Sequence, residues 1–121
     1  MDLDNTLIAL ADGTRREILQ RLAGGPARVT EIAAPFDISL NSVSKHIRIL
    51  ERAGLVHRRV EGRDHYLSLD PEPLDAAAAW MKRERATWTS RLDRLEAALR
   101  AEDAIDKARK TSARPKPRRK P

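Results

Sequence analysis

Hydrophobic residues in the first third of the chain recur at helical spacing between short polar or glycine-containing breaks. They predict a helix over residues 3–11 and a second that Asp12 or Thr14 can cap. The run Gly24-Gly25-Pro26 ends the second helix. A short third helix is predicted from Val29 to Phe36, with Pro35 ending it early because proline cannot continue a helix.

The most regular pattern lies over residues 40–53. Val43, Ile47 and Leu50 recur at positions i, i+4 and i+7, which places them on one face of a helix. Ser39 is suited to cap the first turn, and a glycine follows the last one at position 54. The segment therefore predicts a fourth helix with one buried face and one solvent-facing face.

Two short alternating segments and one long helical segment follow. Residues 55–61 and 64–69 predict two strands that meet at a turn centred on Gly62. From Leu74 to about Asp103 there is no proline or glycine, so one long helix is expected. Six residues of this segment recur in alternating steps of four and three, as in a coiled coil, and so form a seam along one face of the helix. They are Met81, Arg85, Trp88, Leu92, Leu95 and Leu99.

The order of these elements is typical of one architecture. A short helix, a tight turn and a capped longer helix form a helix-turn-helix, and the hairpin behind it forms a wing. The fold class expected is mainly α with a small β-hairpin: a winged helix-turn-helix with a long C-terminal dimerisation helix. Residues 1–106 would form this DNA-binding and dimerisation domain, and residues 107–121 a disordered basic tail.

The polar face of the helix over 40–53 and the wing over 55–69 carry the candidate DNA contacts. These candidates are Asn41, Ser42, Ser44, Lys45, His46, Arg48, Arg59 and Arg63. For His46 taken alone, the sequence favours a structural or capping role over a DNA contact. Arg58 shares a face with Val56 and Val60, so an ion pair with an acid rivals phosphate contact, and Arg52 is either solvated or paired.

The long helix exceeds what a domain of this size can cover, which favours a homodimer over intramolecular packing of the seam. The expected interface residues are Leu3, Leu7, Trp88, Leu92, Leu95 and Leu99. Trp80 and Trp88 also suit a small-molecule pocket, although core or interface packing is the commoner role of such residues. An effector, either a small molecule or a protein, is therefore left open.

Composition narrows the class of protein further. The chain has 121 residues, four of them aromatic, and no cysteine, which indicates one domain without disulfides or thiolate chemistry. The acidic start and the lack of a long apolar run predict neither a secretion signal nor a membrane span, so a cytoplasmic location is expected.

The net positive charge is distributed unevenly along the chain. The chain carries +6, but eight of its 24 basic residues and none of its 18 acids lie from Lys107 onward. The other residues therefore hold 16 basic and 18 acidic side chains, a net charge of −2. Between Leu40 and Arg63, however, six basic residues stand against Glu51 and Glu61. That local excess is the footprint expected of DNA binding, and the tail would add attraction to DNA of any sequence.

Three segments together resemble the ArsR family of bacterial winged helix-turn-helix repressors. They are Ala9-Leu-Ala-Asp-Gly-Thr-Arg-Arg-Glu-Ile-Leu19, Asp37-Ile-Ser-Leu-Asn-Ser-Val-Ser-Lys-His-Ile-Arg-Ile-Leu-Glu-Arg-Ala-Gly-Leu-Val56 and Gly62-Arg-Asp-His-Tyr-Leu67. The resemblance covers roughly residues 5–100. It implies a homodimer joined by the first and last helices, and an inverted-repeat operator bound as a repressor.

The chain departs from many members of that family in its metal-ligating residues. Such members sense metals through cysteines near the third helix or through Asp and His pairs on the last helix. Here there is no cysteine and no histidine beyond residue 65, and His46 and His57 lie on different elements. No metal site and no cofactor are therefore predicted, and the chain resembles a branch with two tryptophans and a leucine-rich end on the last helix.

Two other classes of function compete with a DNA-binding regulator. A winged-helix module that binds a protein instead of DNA would suit the slightly acidic domain, but the basic face over 40–63 argues against it. An enzyme is not predicted, because no phosphate loop, paired carboxylates or nucleophile–base pair is found. Ser44 and His46 lie two positions apart on a helix, so their side chains diverge.

Overall fold

The computed structural model describes residues 2–113, with five helices and three strands in that range. In chain order the elements are α1 (Leu3–Leu10), α2 (Gly13–Ala23), β1 (Ala27–Arg28), α3 (Val29–Ala33), α4 (Leu40–Arg52), β2 (Val56–Glu61), β3 (Asp64–Leu69) and α5 (Glu72–Ala113). They fall into two units, one ending at Met81 and one beginning at Lys82. The first unit contains every element except most of α5.

Side-chain caps begin the first two helices, the second of them where the sequence predicts a cap. The Asp2 carboxylate accepts hydrogen bonds from the backbone N–H groups of Asp4 and Asn5 at the start of α1. At the start of α2 the Asp12 carboxylate accepts from the N–H of Arg15 at 3.0 Å. Of the two candidate caps for α2, Asp12 is therefore the one that the chain uses.

The core of the first unit is aliphatic and centres on α4. Val43, Ile47 and Leu50 have no exposed surface, which confirms the apolar stripe predicted from their spacing. Ile18 from α2 and Ile32 from α3 are equally buried and belong to the same cluster. Burying several large aliphatic side chains is the main force that holds α4 in place.

Both ends of α4 are closed as the sequence predicts. The Ser39 hydroxyl accepts from the N–H of Ser42 at 3.1 Å. At the other end Gly54 has a φ of 73°, a left-handed conformation that side chains with a Cβ disfavour. This conformation lets the N–H of Leu55 donate to the carbonyl of Leu50 at 3.0 Å, and the chain then enters β2.

The sheet has three antiparallel strands in the order β1-β3-β2. The hairpin of β2 and β3 forms as predicted, with Glu61 opposite Asp64 across a turn in which Gly62 has a φ of 59°. The short strand β1 was not predicted. Only Ala27 and Arg28 pair with β3, and two residues are too few to show an alternating pattern.

α5 is longer than the sequence pattern indicates at both ends. It begins at Glu72, after Asp70 accepts a hydrogen bond from the Glu72 N–H at 2.9 Å, and it continues to Ala113. The segment from Lys107 to Ala113, expected to be disordered, is therefore helical. Alanine, lysine and arginine favour helix, and after Pro73 in the first turn of α5 the next proline comes only at position 115. The rest of the expected tail, residues 114–121, lies outside the described residues.

Candidate nucleic-acid interface

The outward face of α4 is polar and positively charged. Asn41, Lys45 and Arg48 are all exposed, on the side opposite the buried stripe. None of the three has a hydrogen-bond or ion-pair partner within residues 2–113, and Arg52 near the end of the helix is likewise exposed and unpaired there. Four hydrogen-bonding side chains on one helix face are thus available to an external partner.

The two serines near the start of α4 lie on its flanks and are half-buried. Ser42 is tied to the cap, because the Ser39 hydroxyl donates to Ser42 Oγ at 3.0 Å. Ser44 lines a cavity of about 210 Å³ together with residues of the wing, among them Arg63. Ser44 therefore faces the space between the helix and the hairpin, and Ser42 still has an acceptor lone pair for another donor.

His46, a candidate base contact, lies on the inner flank of α4. Its side chain is 22% exposed, and Nδ1 lies 3.2 Å from Arg15 Nη1 and 3.7 Å from Asp12 Oδ2. Because a guanidinium only donates, Nδ1 accepts that hydrogen bond and the proton resides on Nε2. These contacts match the structural role that the sequence favoured for His46, and they use the ring nitrogen that faces α2.

Arg15 joins three elements through one guanidinium. Nε donates to the carbonyl of Ala9 and Nη2 to that of Ile8, both at 2.8 Å, while Nη1 reaches His46. The hydrogen bond from the backbone N–H of Arg15 lowers the pKa of Asp12, and the positive charge of the Arg15 side chain lowers it further against the opposing effect of burial. This cluster fixes α4 relative to the corner between α1 and α2.

The wing carries two candidate phosphate contacts in different settings. Arg63 follows the turn glycine, is exposed, and has no hydrogen-bond or ion-pair partner among the described residues. Arg59 is also exposed, but its Nε lies 3.3 Å from Glu61 Oε1 and its guanidinium stacks 5.3 Å from the centre of the Tyr66 ring. Arg63 is therefore free to contact an anion, whereas Arg59 has a carboxylate beside it that partly offsets its charge.

Arg58 pairs with an acid of α4 while remaining partly exposed. Its Nη2 lies 2.7 Å from Glu51 Oε1, and each of the two side chains is 28% exposed. Of the two roles that the sequence left open for Arg58, the structure confirms the ion pair. The signal was its position on the face of Val56, whose side chain is buried against the core.

Sequence reasoning missed the two residues that hold these arginine clusters together. Arg15 was assigned no role, since nothing in its spacing shows that it reaches Ile8, Ala9 and His46. Glu51 was counted only as a charge that reduces the basic excess. Its place one position after the buried Leu50 could have indicated a side chain at the edge of the core, facing β2.

The described part of the chain contains neither a metal-binding cluster nor a membrane-spanning helix. No cluster of three or more His, Cys, Asp or Glu side chains suited to hold a metal ion occurs in residues 2–113. Within the same range, no helix combines the length and the apolar character that crossing a bilayer requires.

The buried stripe of α4, its exposed cationic face and the arginine-tipped hairpin beside it define a winged helix-turn-helix of the DNA-binding class. A family model described as a helix-turn-helix domain matches residues 10–59. The chain is 45% identical over 73 residues to the HTH-type transcriptional regulator Rv2034 of Mycobacterium tuberculosis, a match that spans 60% of this chain and 68% of that protein. It is 37% identical over 79 residues to the transcriptional repressor SdpR of Bacillus subtilis, spanning 65% and 88% of the two chains.

Solved structures agree with these relatives. The crystal structure of an ArsR family transcriptional regulator superposes with a TM-score of 0.70 at 42% identity, over 73% of this chain and 91% of that one. An ArsR-like regulator from Rhodococcus gives a TM-score of 0.71 at 28% identity, over 79% and 91%. The chain belongs to the ArsR family of transcriptional regulators. It is a DNA-binding regulator, and the alternative of a protein-binding module is not favoured.

Proposed function

We propose that the protein is a homodimeric repressor that binds an inverted-repeat operator, with α4 in the major groove and the wing on the neighbouring backbone. The observation that carries this proposal is the division of α4 into a fully buried stripe and an exposed face with unpaired Lys45 and Arg48. A helix built in this way fits a groove wide enough to admit it. The relative named as a repressor supports repression, and action on DNA suits a cytoplasmic location.

The proposed contacts divide between bases and phosphates. Asn41, Ser42 and Lys45 lie in the first turns of α4, where a recognition helix reaches base edges. Ser44 and Arg48 reach either bases or phosphates, and Arg59 and Arg63 reach the backbone beside the groove. His46 serves this surface indirectly, because its contacts with Arg15 and Asp12 hold α4 in position.

The test is a mobility-shift and footprinting assay on the DNA upstream of the gene. The double variant Lys45→Ala, Arg48→Ala is expected to lose operator binding and to keep its fold, since both side chains are exposed and unpaired. The matched control, Arg16→Ala with Arg21→Ala, removes the same charge from α2 and should bind nearly as the unchanged protein does. Operator binding that survives the α4 variant, or no preference over random DNA, would contradict the proposal.

The dimer rests on the exposed seam of α5. The side chains of Trp88, Leu92, Leu95 and Leu99 are between 52% and 59% exposed, far more than any core residue. Apolar residues at alternating steps of four and three form the contact surface of a coiled coil. A second copy of this chain would cover that surface, and Leu3 and Leu7 of α1, both half-buried, would extend the interface.

Sedimentation equilibrium tests the dimer directly. Leu92→Asp places a charge in the seam and is expected to give a monomer that also binds the operator weakly. Ala97→Asp introduces the same charge on the opposite side of the helix, where Ala97 is exposed, and should remain dimeric. A Leu92→Asp protein that stays dimeric would show that this seam is not the interface.

A further inference from the structure

The guanidinium of Arg58 connects the recognition helix α4 to both strands of the wing. Nη2 donates to Glu51 Oε1 at 2.7 Å and Nε donates to Glu51 Oε2 at 3.3 Å, a two-point contact with a residue of α4. Nη1 lies 3.0 Å from His65 Nδ1 on β3. Because arginine only donates, Nδ1 of His65 is the acceptor in that contact.

Arg58 differs from the other arginines of the wing because its guanidinium is bound by other parts of the protein. All three of its nitrogen donors face protein acceptors, and its side chain is 28% exposed, against 67% for Arg59. Arg63 is exposed and has no partner in the described part of the chain. A DNA phosphate that approached Arg58 would meet a guanidinium with three of its five N–H bonds already engaged and the Glu51 carboxylate beside it.

We propose that Arg58 is a positioning residue, which sets the wing beside α4 through Glu51 and His65 so that Arg63 meets the DNA backbone. A planar fork that binds a carboxylate at two points restricts rotation, whereas a lysine in its place would make only a point contact. This inference rests on the proposed contact between the wing and DNA. It assigns Glu51, an acid inside a basic surface, a positive role in DNA binding.

Two variants separate positioning from direct contact, because the two roles predict opposite effects. If Glu51 merely opposes DNA through its charge, Glu51→Ala should tighten binding to the operator fragment that footprinting defines. If Glu51 positions the wing, the same variant should weaken binding about five- to tenfold. Arg58→Lys keeps the charge that a phosphate contact needs but loses the fork, and it should weaken binding to a similar degree.

Glu31→Ala is the matched control. Glu31 also pairs with an arginine at 2.7 Å, but that partner, Arg28, lies only three positions away, and the pair does not join α4 to the wing. This variant loses one acid, as Glu51→Ala does, together with the pair to Arg28 and a longer pair to Arg21 at 3.9 Å. It should bind the operator as tightly as the unchanged protein or somewhat more tightly.

Combining variants shows whether Glu51 acts through the wing. In an Arg63→Ala background, Glu51→Ala should cost less than twofold, because the wing contact is already lost, whereas general destabilisation would weaken both backgrounds equally. Exchanging the charges, with Glu51→Arg and Arg58→Glu together, should recover part of the affinity. Fluorescence anisotropy with the operator fragment measures each affinity, and thermal unfolding identifies variants that fail to fold.

The results that overturn the inference are distinct from those that overturn the proposed function. Tighter binding by Glu51→Ala, unchanged binding by Arg58→Lys, or an equal loss in both backgrounds would exclude the positioning role while operator binding itself stands. If either single variant does not fold, the other together with the charge exchange decides the outcome. Failure of the unchanged protein to prefer its operator would instead remove the proposed function.

Discussion

Removal of the wing-tip cation by Arg63→Ala should change how steeply DNA affinity depends on salt. Each phosphate that a cation neutralises releases counterions, so the logarithm of affinity falls by about 0.9 per decade of salt for each contact. The proposed dimer has two wings and thus two copies of Arg63. Their loss should reduce the slope by about 1.8.

The slope converts into a fold-change that an assay can resolve. Raising the salt from 50 to 200 mM weakens DNA binding by both proteins. With a slope that is smaller by about 1.8, the variant should lose about twelvefold less affinity over this range than the unchanged protein. Fluorescence anisotropy titrations over that range measure both slopes. Operator discrimination against random DNA should persist, since a phosphate contact carries no sequence information. An unchanged slope would refute the assignment of Arg63 to the backbone and, with it, the docked position of the wing.

Three further predictions concern the scaffold beneath α4, each checked by urea unfolding at one fixed protein concentration. Ile47→Ala removes a side chain with no exposed surface and should lower the free energy of unfolding by about 2–5 kcal/mol. Ser39→Ala leaves the N–H of Ser42 without its cap and should cost about 1 kcal/mol, and Ser39→Asp should restore it. The pKa of Asp12 is lowered in the folded protein, so its contribution is present above about pH 4 and is lost as the pH falls through the lowered pKa. Asp12→Asn should therefore reduce stability at neutral pH and flatten the acid limb of the stability curve; identical acid limbs would contradict this reasoning.

The sequence identified the recognition helix nearly residue by residue. A helix was predicted over 40–53, and the structure has Leu40–Arg52, capped by Ser39 and closed at Gly54. The prediction succeeded because the periodicity of Val43, Ile47 and Leu50, the cap and the terminating glycine all depend on residues close together in the chain. The hairpin was predicted for the same reason, from its alternating strands and its central glycine.

The sequence predicted less well which polar residues of that helix face outward towards a partner. His46 lies on the helix between Ser42 and the buried stripe, and its spacing suits either role. Its orientation is decided by Arg15, which is 31 positions away in sequence and contacts the ring of His46. The strand β1 is a similar case, because Ala27 and Arg28 become a strand only by pairing with β3.

The chain by itself therefore determined the order of the helices and of the hairpin, the buried stripe of α4 and the positions of its cationic residues. These follow from propensity, periodicity and capping, which act within a few turns of helix or one hairpin. Only the tertiary structure decided which of the arginines are free. Arg58 and Arg63 lie five positions apart on one hairpin, yet one is bound by Glu51 across the fold and the other has no partner among the described residues. The physical reason is that an ion pair depends on distance in space, and residues of α4 and the wing approach each other only after the core has formed.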